Sequence, residues 1–85
     1  MQNKVYVGNL SYTVTSEQLG ELFAAAGKVV EAIVISDKYS GRSKGFGFVT
    51  FEKEEDAAKA IEMFNEKEND GRTLVVNIAR PREEN

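Results

Sequence analysis

Lys44-Gly45-Phe46-Gly47-Phe48-Val49-Thr50-Phe51 is the stretch on which the fold turns. A β-strand sends successive side chains to opposite faces of its sheet. Lys44, Phe46, Phe48 and Thr50 therefore share one face, and Gly45, Gly47, Val49 and Phe51 share the other. The first face carries a cation and two aromatic rings in a row. The second has two positions without a side chain, next to a Val and a Phe that can reach a core. The question is whether Phe46 and Phe48 are buried or displayed.

The flanking sequence supplies the partners. Lys4 to Asn9 alternates around Val5 and Val7 as a half-buried strand, and Asn9-Leu10-Ser11-Tyr12-Thr13 reads as a loop. Thr15 is placed as a helix N-cap with Gln18 three residues on, a capping box, and Val14 and Leu19 sit where a hydrophobic staple would. Leu19, Leu22, Phe23 and Ala26 recur at helical spacing, and Gly27 suits the C′ position that ends a helix. Val29 to Ile35 is rich in β-branched residues and reads as a second strand, followed by a polar loop from Asp37 to Ser43. Beyond the 44–51 strand, Ala57, Ala60, Ile61 and Phe64 mark a second amphipathic helix from about Glu54 to Glu66. It lacks a good cap, although Glu54, Glu55 and Asp56 suit the positive end of the helix dipole. Asn69-Asp70-Gly71 is a turn signal, Thr73 to Ala79 reads as a fourth strand, and Pro81 ends it.

The order β-α-β-β-α-β is the split βαβ, or ferredoxin-like, arrangement. It is an α+β fold with a four-stranded antiparallel sheet and two helices on one face. Right-handed crossovers put both helices on the same side. The expected core is Val5, Val7, Leu19, Leu22, Phe23, Ala32, Val34, Val49, Phe51, Ala57, Ile61, Phe64, Leu74, Val76 and Ile78. Nothing in the remaining chain can cover the opposite face. That face is expected to carry Lys4, Tyr6, Ile33, Ile35, Phe46, Phe48, Val75, Asn77 and Ala79. Turning Phe46 and Phe48 inward would push Val49 and Phe51 into water. An exposed patch of three aromatics and several aliphatics is a binding surface in a monomeric soluble domain.

With 85 residues, 41% hydrophobic and 29% charged, the chain reads as one domain over residues 1–85, with a core at about 4–80 and a short tail at 81–85. The absence of Cys removes disulfides and thiolate chemistry, and the absence of His removes the commonest metal ligand and general base. Adjacent Glu54, Glu55 and Asp56 splay outward on a helix rather than converge. No catalytic residue, metal or cofactor is expected. No apolar run approaches membrane-spanning length and no signal pattern opens the chain, so the expectation is no membrane contact and a cytoplasmic monomer, with plastid or nucleus left open. The chain is equally compatible with a domain cut from something longer.

Net charge is −3, which by itself argues against a nucleic-acid partner, but the signs are segregated. Glu17, Glu21, Glu54, Glu55, Asp56, Glu62 and Glu66 fall in helical segments, whereas Lys4, Lys38, Arg42, Lys44, Arg80 and Arg82 fall in or beside strands. Flat rings on a rigid sheet flanked by cations suit the bases of a single nucleic-acid strand, since every base has a π-face. Lys44, Arg42 and Arg80 border the rings and could meet phosphates. Lys38 and Lys4 read as solvated surface charges. Asn77 and the main chain from Ala79 to Arg82 offer donors and acceptors to base edges, and Asn9 reads as a residue that fixes its loop.

Lys44 to Phe51 fills every position of the RNP1 pattern of the RNA recognition motif (RRM). Val5-Tyr6-Val7-Gly8-Asn9-Leu10, about forty residues upstream, resembles the family's RNP2 hexamer. The resemblance runs from Lys4 to about Arg82. It implies a non-enzymatic binder of single-stranded RNA in which Tyr6 and Phe48 stack two successive bases, Phe46 lies against the sugars between them, and Lys44 pairs a phosphate. Gly41-Arg42-Ser43-Lys44 and Gly71-Arg72 are similar to small single-domain RNA-binding proteins of bacteria and to plastid ribonucleoproteins. A protein-interaction module is the competing class, and variants of that kind typically lack the ring set.

The charge balance generates a prediction. Affinity for a single strand falls with salt at a log–log slope of about −0.7 per phosphate neutralised, so neutralising two to four phosphates gives roughly −1.4 to −2.8. Titrations of a short single-stranded RNA at several salt concentrations check this, and a slope steeper than about −5 would mean that charge rather than stacking dominates.

Overall fold

The structure, a computed structural model, describes residues 3–36, 39, 43–69 and 71–79. Its elements are β1 (Lys4–Gly8), α1 (Ser16–Phe23), β2 (Val29–Ser36), β3 (Ser43–Phe51), α2 (Glu54–Phe64), β4 (Glu68–Asn69), β5 (Arg72–Thr73) and β6 (Val75–Ile78). The main sheet has the order β2-β3-β1-β6, with every neighbouring pair antiparallel. β1 and β2 are thus parallel across β3, and β3 and β6 are parallel across β1. Each crossover passes through a helix, which is the expected α+β arrangement.

Thr15 caps α1 as the sequence requires. Its hydroxyl accepts from the Gln18 amide at 3.1 Å, and the Gln18 side chain accepts from the Thr15 amide at 3.1 Å. α1 stops sooner than the sequence implies, with Ala24 as C-cap. Gly27 is not a left-handed C′ residue, because the glycines of positive φ are Gly45 and Gly71. A Cβ at Gly27 would instead run into the Asp56 side chain, so this glycine admits the first turn of α2. α2 ends at Phe64 rather than Glu66, and its N-terminus has no side-chain cap but three acidic residues in the first turn.

Parity of β3 settles which face is inside. Val49 and Phe51 are fully buried, and so are Val5 and Val7 on β1 and Val76 on β6. Phe23 of α1 packs on Phe51 at 6.5 Å between ring centroids and on Phe64 of α2 at 4.4 Å. Every residue of the expected core is buried or packed against it; Leu10, Ala26 and Ala60 join them. At Gly47 a Cβ would collide with the Ile33 carbonyl and come within 3.1 Å of Leu19 Cδ2. α1 therefore sits directly on the bare backbone of β3. Phe46 and Phe48 have no room on that side.

Irregularities at three places escape simple alternation, one of them a β2–β3 register shift between Val34 and Ser36. Between Val29 and Glu31 the β2–β3 register shifts, and the extra residue Val30 is 62% exposed while Val29 packs against the core. The fourth sheet strand is shorter than Thr73–Ala79. Leu74 donates to the Lys67 carbonyl and accepts from the Glu66 amide, so its backbone belongs to the connection after α2. Thr73 and Arg72 pair with Glu68 and Asn69 in a separate hairpin. Outward-pointing amides at the two sheet edges are met by side chains: Val34 donates to Ser16 Oγ at 2.8 Å, and Val76 to Asn65 Oδ1 at 3.0 Å.

The buried aromatic at the end of β3 is the control for the displayed ones. Phe51→Ala is expected to cost about 3–5 kcal/mol of stability, as a fully buried Phe truncation does. Denaturant unfolding measures it, and a loss below about 1 kcal/mol would mean that β3 presents its other face to the helices.

Candidate nucleic-acid interface

Tyr6 on β1 lies directly across from Phe48 on β3, and Phe46 lies across from Gly8. The three rings meet around Tyr6. Its centroid is 5.8 Å from Phe46 and 5.9 Å from Phe48, and the two phenylalanines are 6.2 Å apart, edge to face. These are ordinary favourable aromatic separations. Each ring is half-buried by the others, and none is covered by a helix. Ile33, across from Phe48, and Val75, across from Gly8, widen the apolar floor, both 43% exposed. Exposed Asn77 sits across from Tyr6, where its amide can meet a base edge.

Glycine shapes the site twice. The Tyr6 ring leans over Gly8, where a Cβ would lie 2.6 Å from Tyr6 Oη and 2.9 Å from Cε2. Gly45 adopts φ +86, the left-handed region where other residues are strained, as β3 parts from β1. There its carbonyl accepts from the Leu10 amide at 2.8 Å, and the Tyr12 ring lies against it.

The expected site residues divide into three groups. Tyr6, Phe46, Phe48 and Asn77 come together on one face. Ala79 departs from its expected open position: it is only 8% exposed, and its amide donates to the Lys4 carbonyl at 2.9 Å, extending the ladder past β6. Its side chain gives a ligand almost no surface, and its amide is committed to the sheet. Arg42, Arg80 and Arg82 lie outside the described residues, as does the side chain of Lys44, whose backbone belongs to β3.

Two cations that the sequence left aside sit on rings instead. Lys4 Nζ lies 5.2 Å from the centroid of Phe48, and the Arg72 guanidinium carbon lies 5.3 Å from that of Tyr12. Lys4 is diagonal to Phe48, since it pairs with Thr50 while Tyr6 pairs with Phe48. Register alone would have revealed that contact. Arg72 had no such signal, because its position depends on the small hairpin. Asn9 fixes its loop as read: at φ 60 it donates to the Thr73 carbonyl at 2.6 Å and accepts from Arg72 at 3.2 Å.

Among the described residues no group of three or more acidic, His or Cys side chains could hold a metal, and no helix is long and apolar enough to cross a membrane. Residues 5–75 match the RNA recognition motif family. The chain belongs to that family. It is accordingly a binding module and not an enzyme. Among its relatives is the chloroplastic RNA-binding protein CP33 of Arabidopsis thaliana, 47% identical over 91% of this chain and 23% of that protein. The chain spans from about a quarter to about half the length of the curated relatives it matches first. Among solved structures, the RNA-binding protein PG1 is 48% identical with a TM-score of 0.88, covering 95% of this chain and 98% of that one. The Rna15 RRM with bound RNA (GU) is 30% identical with a TM-score of 0.86, covering 95% and 86%.

In this RRM the close approach at Gly8 sets the pose of Tyr6. Gly8→Ala is expected to displace the Tyr6 ring, a flexible side chain that can give way, at a cost of about 1 kcal/mol or less. Aromatic NMR shifts of Tyr6, Phe46 and Phe48 check this. Unchanged ring shifts in the variant would contradict it.

Proposed function

We propose that this RRM binds single-stranded RNA on the open face of its sheet. The observation that carries the reading is the trio of rings around Tyr6, none more than 6.2 Å from its neighbours, on the face opposite both helices. Tyr6 and Phe48 stack two successive bases, and Phe46 lies against the sugars between them. Asn77 meets a base edge. Lys44, Arg42, Arg80 and Arg82 supply phosphate contacts. Ala79 takes part through its position in the main chain leading to that tail. The folded unit spans about residues 4 to 80 and acts as a monomer, in the cytoplasm or, as the chloroplastic relatives favour, in a plastid.

Mechanically, the reading needs only a rigid platform and an unstacked ligand. The rings are held by cross-strand pairing on β1 and β3, so little is spent on ordering them when a base arrives. The acidic residues of α1 and α2 lie on the other side of the sheet and repel a phosphate chain from that surface. Duplex RNA cannot use the platform, because its bases are stacked and its major groove is too narrow for side chains.

Phe48→Ala and Tyr6→Ala are each expected to weaken binding of a short single-stranded RNA by about 1–3 kcal/mol. Both are expected to leave the melting temperature close to that of the parent. Single-stranded RNA is expected to compete far better than duplex of the same sequence. Fluorescence anisotropy with both competitors, alongside a thermal melt of each variant, checks all three. Equal competition by duplex, or full binding by Phe48→Ala, would overturn the stacking reading.

A further inference from the structure

Val30, 62% exposed, is the most exposed large aliphatic side chain among the described residues. The register shift between Val29 and Glu31 sets it out of alternation, at the rim of a shallow groove of about 420 Å³ between α1 and β2. Gly20 and Ala24 of α1 and Ala32 of β2 make the apolar floor. A Cβ at Gly20 would stand 3.3 Å from that of Ala32, so the helix lies close on the strand here. Glu17, Glu21 and Glu31 line the same groove, and no cation does. β2 is also an edge strand of the sheet. Ser16 Oγ plugs the outward amide of Val34 at 2.8 Å, but from Val30 to Ala32 no side chain of the described residues does the same. The carboxylates run against the electrostatics of their own helix. Glu17 and Glu21 are four residues apart, a spacing at which like charges repel on a helix surface. Glu21 stands in the last turn of α1, which holds no basic residue, where the helix dipole favours a cation. Both are exposed, and neither carboxylate is bonded to a described residue.

We propose that this groove docks an extended segment of another protein in which lysine or arginine alternates with aliphatic residues. The aliphatic side chains cover Val30, Ala24 and Ala32, and the basic ones reach Glu17, Glu21 and Glu31 with their stems lying on the apolar floor. The backbone of the segment adds to the edge of β2 where that edge is unplugged. Charge selects this occupant over two others. Three carboxylates turn a nucleic acid away. A second copy of the chain, paired edge to edge about a two-fold axis, would set the same three carboxylates against themselves. A cationic segment instead relieves the repulsion between Glu17 and Glu21 and supplies the positive charge that the end of α1 lacks. The groove is distinct from the ring trio, so the segment and RNA bind without excluding one another.

The probe is a short, acetylated and amidated peptide in which lysine alternates with leucine, beside a counterpart with glutamate in place of lysine. NMR shift mapping locates binding, and anisotropy of the labelled peptide measures it. The lysine peptide is expected to move the amides of residues 17–24 and 29–32, and the glutamate peptide to move none. Glu17→Gln and Glu21→Gln are each expected to weaken binding about two- to fivefold, the range of an exposed ion pair. Val30→Ser also weakens it. Glu21→Gln leaves the melting temperature at or slightly above that of the parent, because it removes a carboxylate from the negative end of the helix, so its weaker binding is not a loss of fold. Glu62→Gln, at an exposed position in the last turn of α2, is the matched control and retains parent binding. No shift with the lysine peptide, or equal weakening by Glu62→Gln and Glu21→Gln, would overturn the groove and leave bulk charge alone. Movement of the same amides on raising protein concentration without peptide would overturn it in favour of a second copy. Movement of these amides on adding single-stranded RNA would overturn it in favour of RNA.

Discussion

The contact between α1 and the bare backbone of β3 at Gly47 is the constraint from which the rest of the molecule follows. Any side chain there would meet the Ile33 carbonyl and Leu19. The helix can therefore lie close to the sheet only if β3 turns its glycine side toward it. Once that is so, period-two alternation leaves no choice for the neighbours: Val49 and Phe51 go in, and Phe46 and Phe48 go out. Cross-strand pairing then draws Tyr6 to Phe48, and the crossovers put α2 on the same side as α1. The open face is a consequence of packing. Its chemistry is a consequence of which residues that packing leaves outside.

What was legible in the chain is what depends on local pattern. Alternation in β1 and β3, the Thr15–Gln18 capping box and the helical spacing of Leu19, Leu22 and Phe23 are all written within a few residues. They lead to the element order, the core and the ring trio. Features resting on distant partners were not legible. Leu74 leaves the sheet because its backbone bonds go to Lys67 and Glu66. Gly27 looks like a helix terminator, yet its absent side chain makes room for Asp56 on a different helix. The bulge at Val30 reverses parity for one residue with no signal in composition. Ala79 has the right parity for the open face, but its amide is bound to Lys4 and little of it reaches solvent.

Charge follows the same division. The total of −3 says little about any one surface, because six of the acidic side chains, Glu17, Glu21, Glu54, Glu55, Asp56 and Glu62, belong to the two helices. Lys4 on β1 and Arg72 on the hairpin are each held against an aromatic face. On the proposed reading, the sheet face receives the phosphate chain, long-range attraction stays weak, and the sheet sets orientation on arrival.

NMR shift mapping during titration with a short single-stranded RNA tests the central claim most directly. If the face left open by the Gly47 contact is the binding surface, the aromatic protons of Tyr6, Phe46 and Phe48 and the amides of β1 and β3 will move. The amides of α1 and α2 will stay where they are. Movement concentrated on the helices, with the three rings unperturbed, would contradict the account.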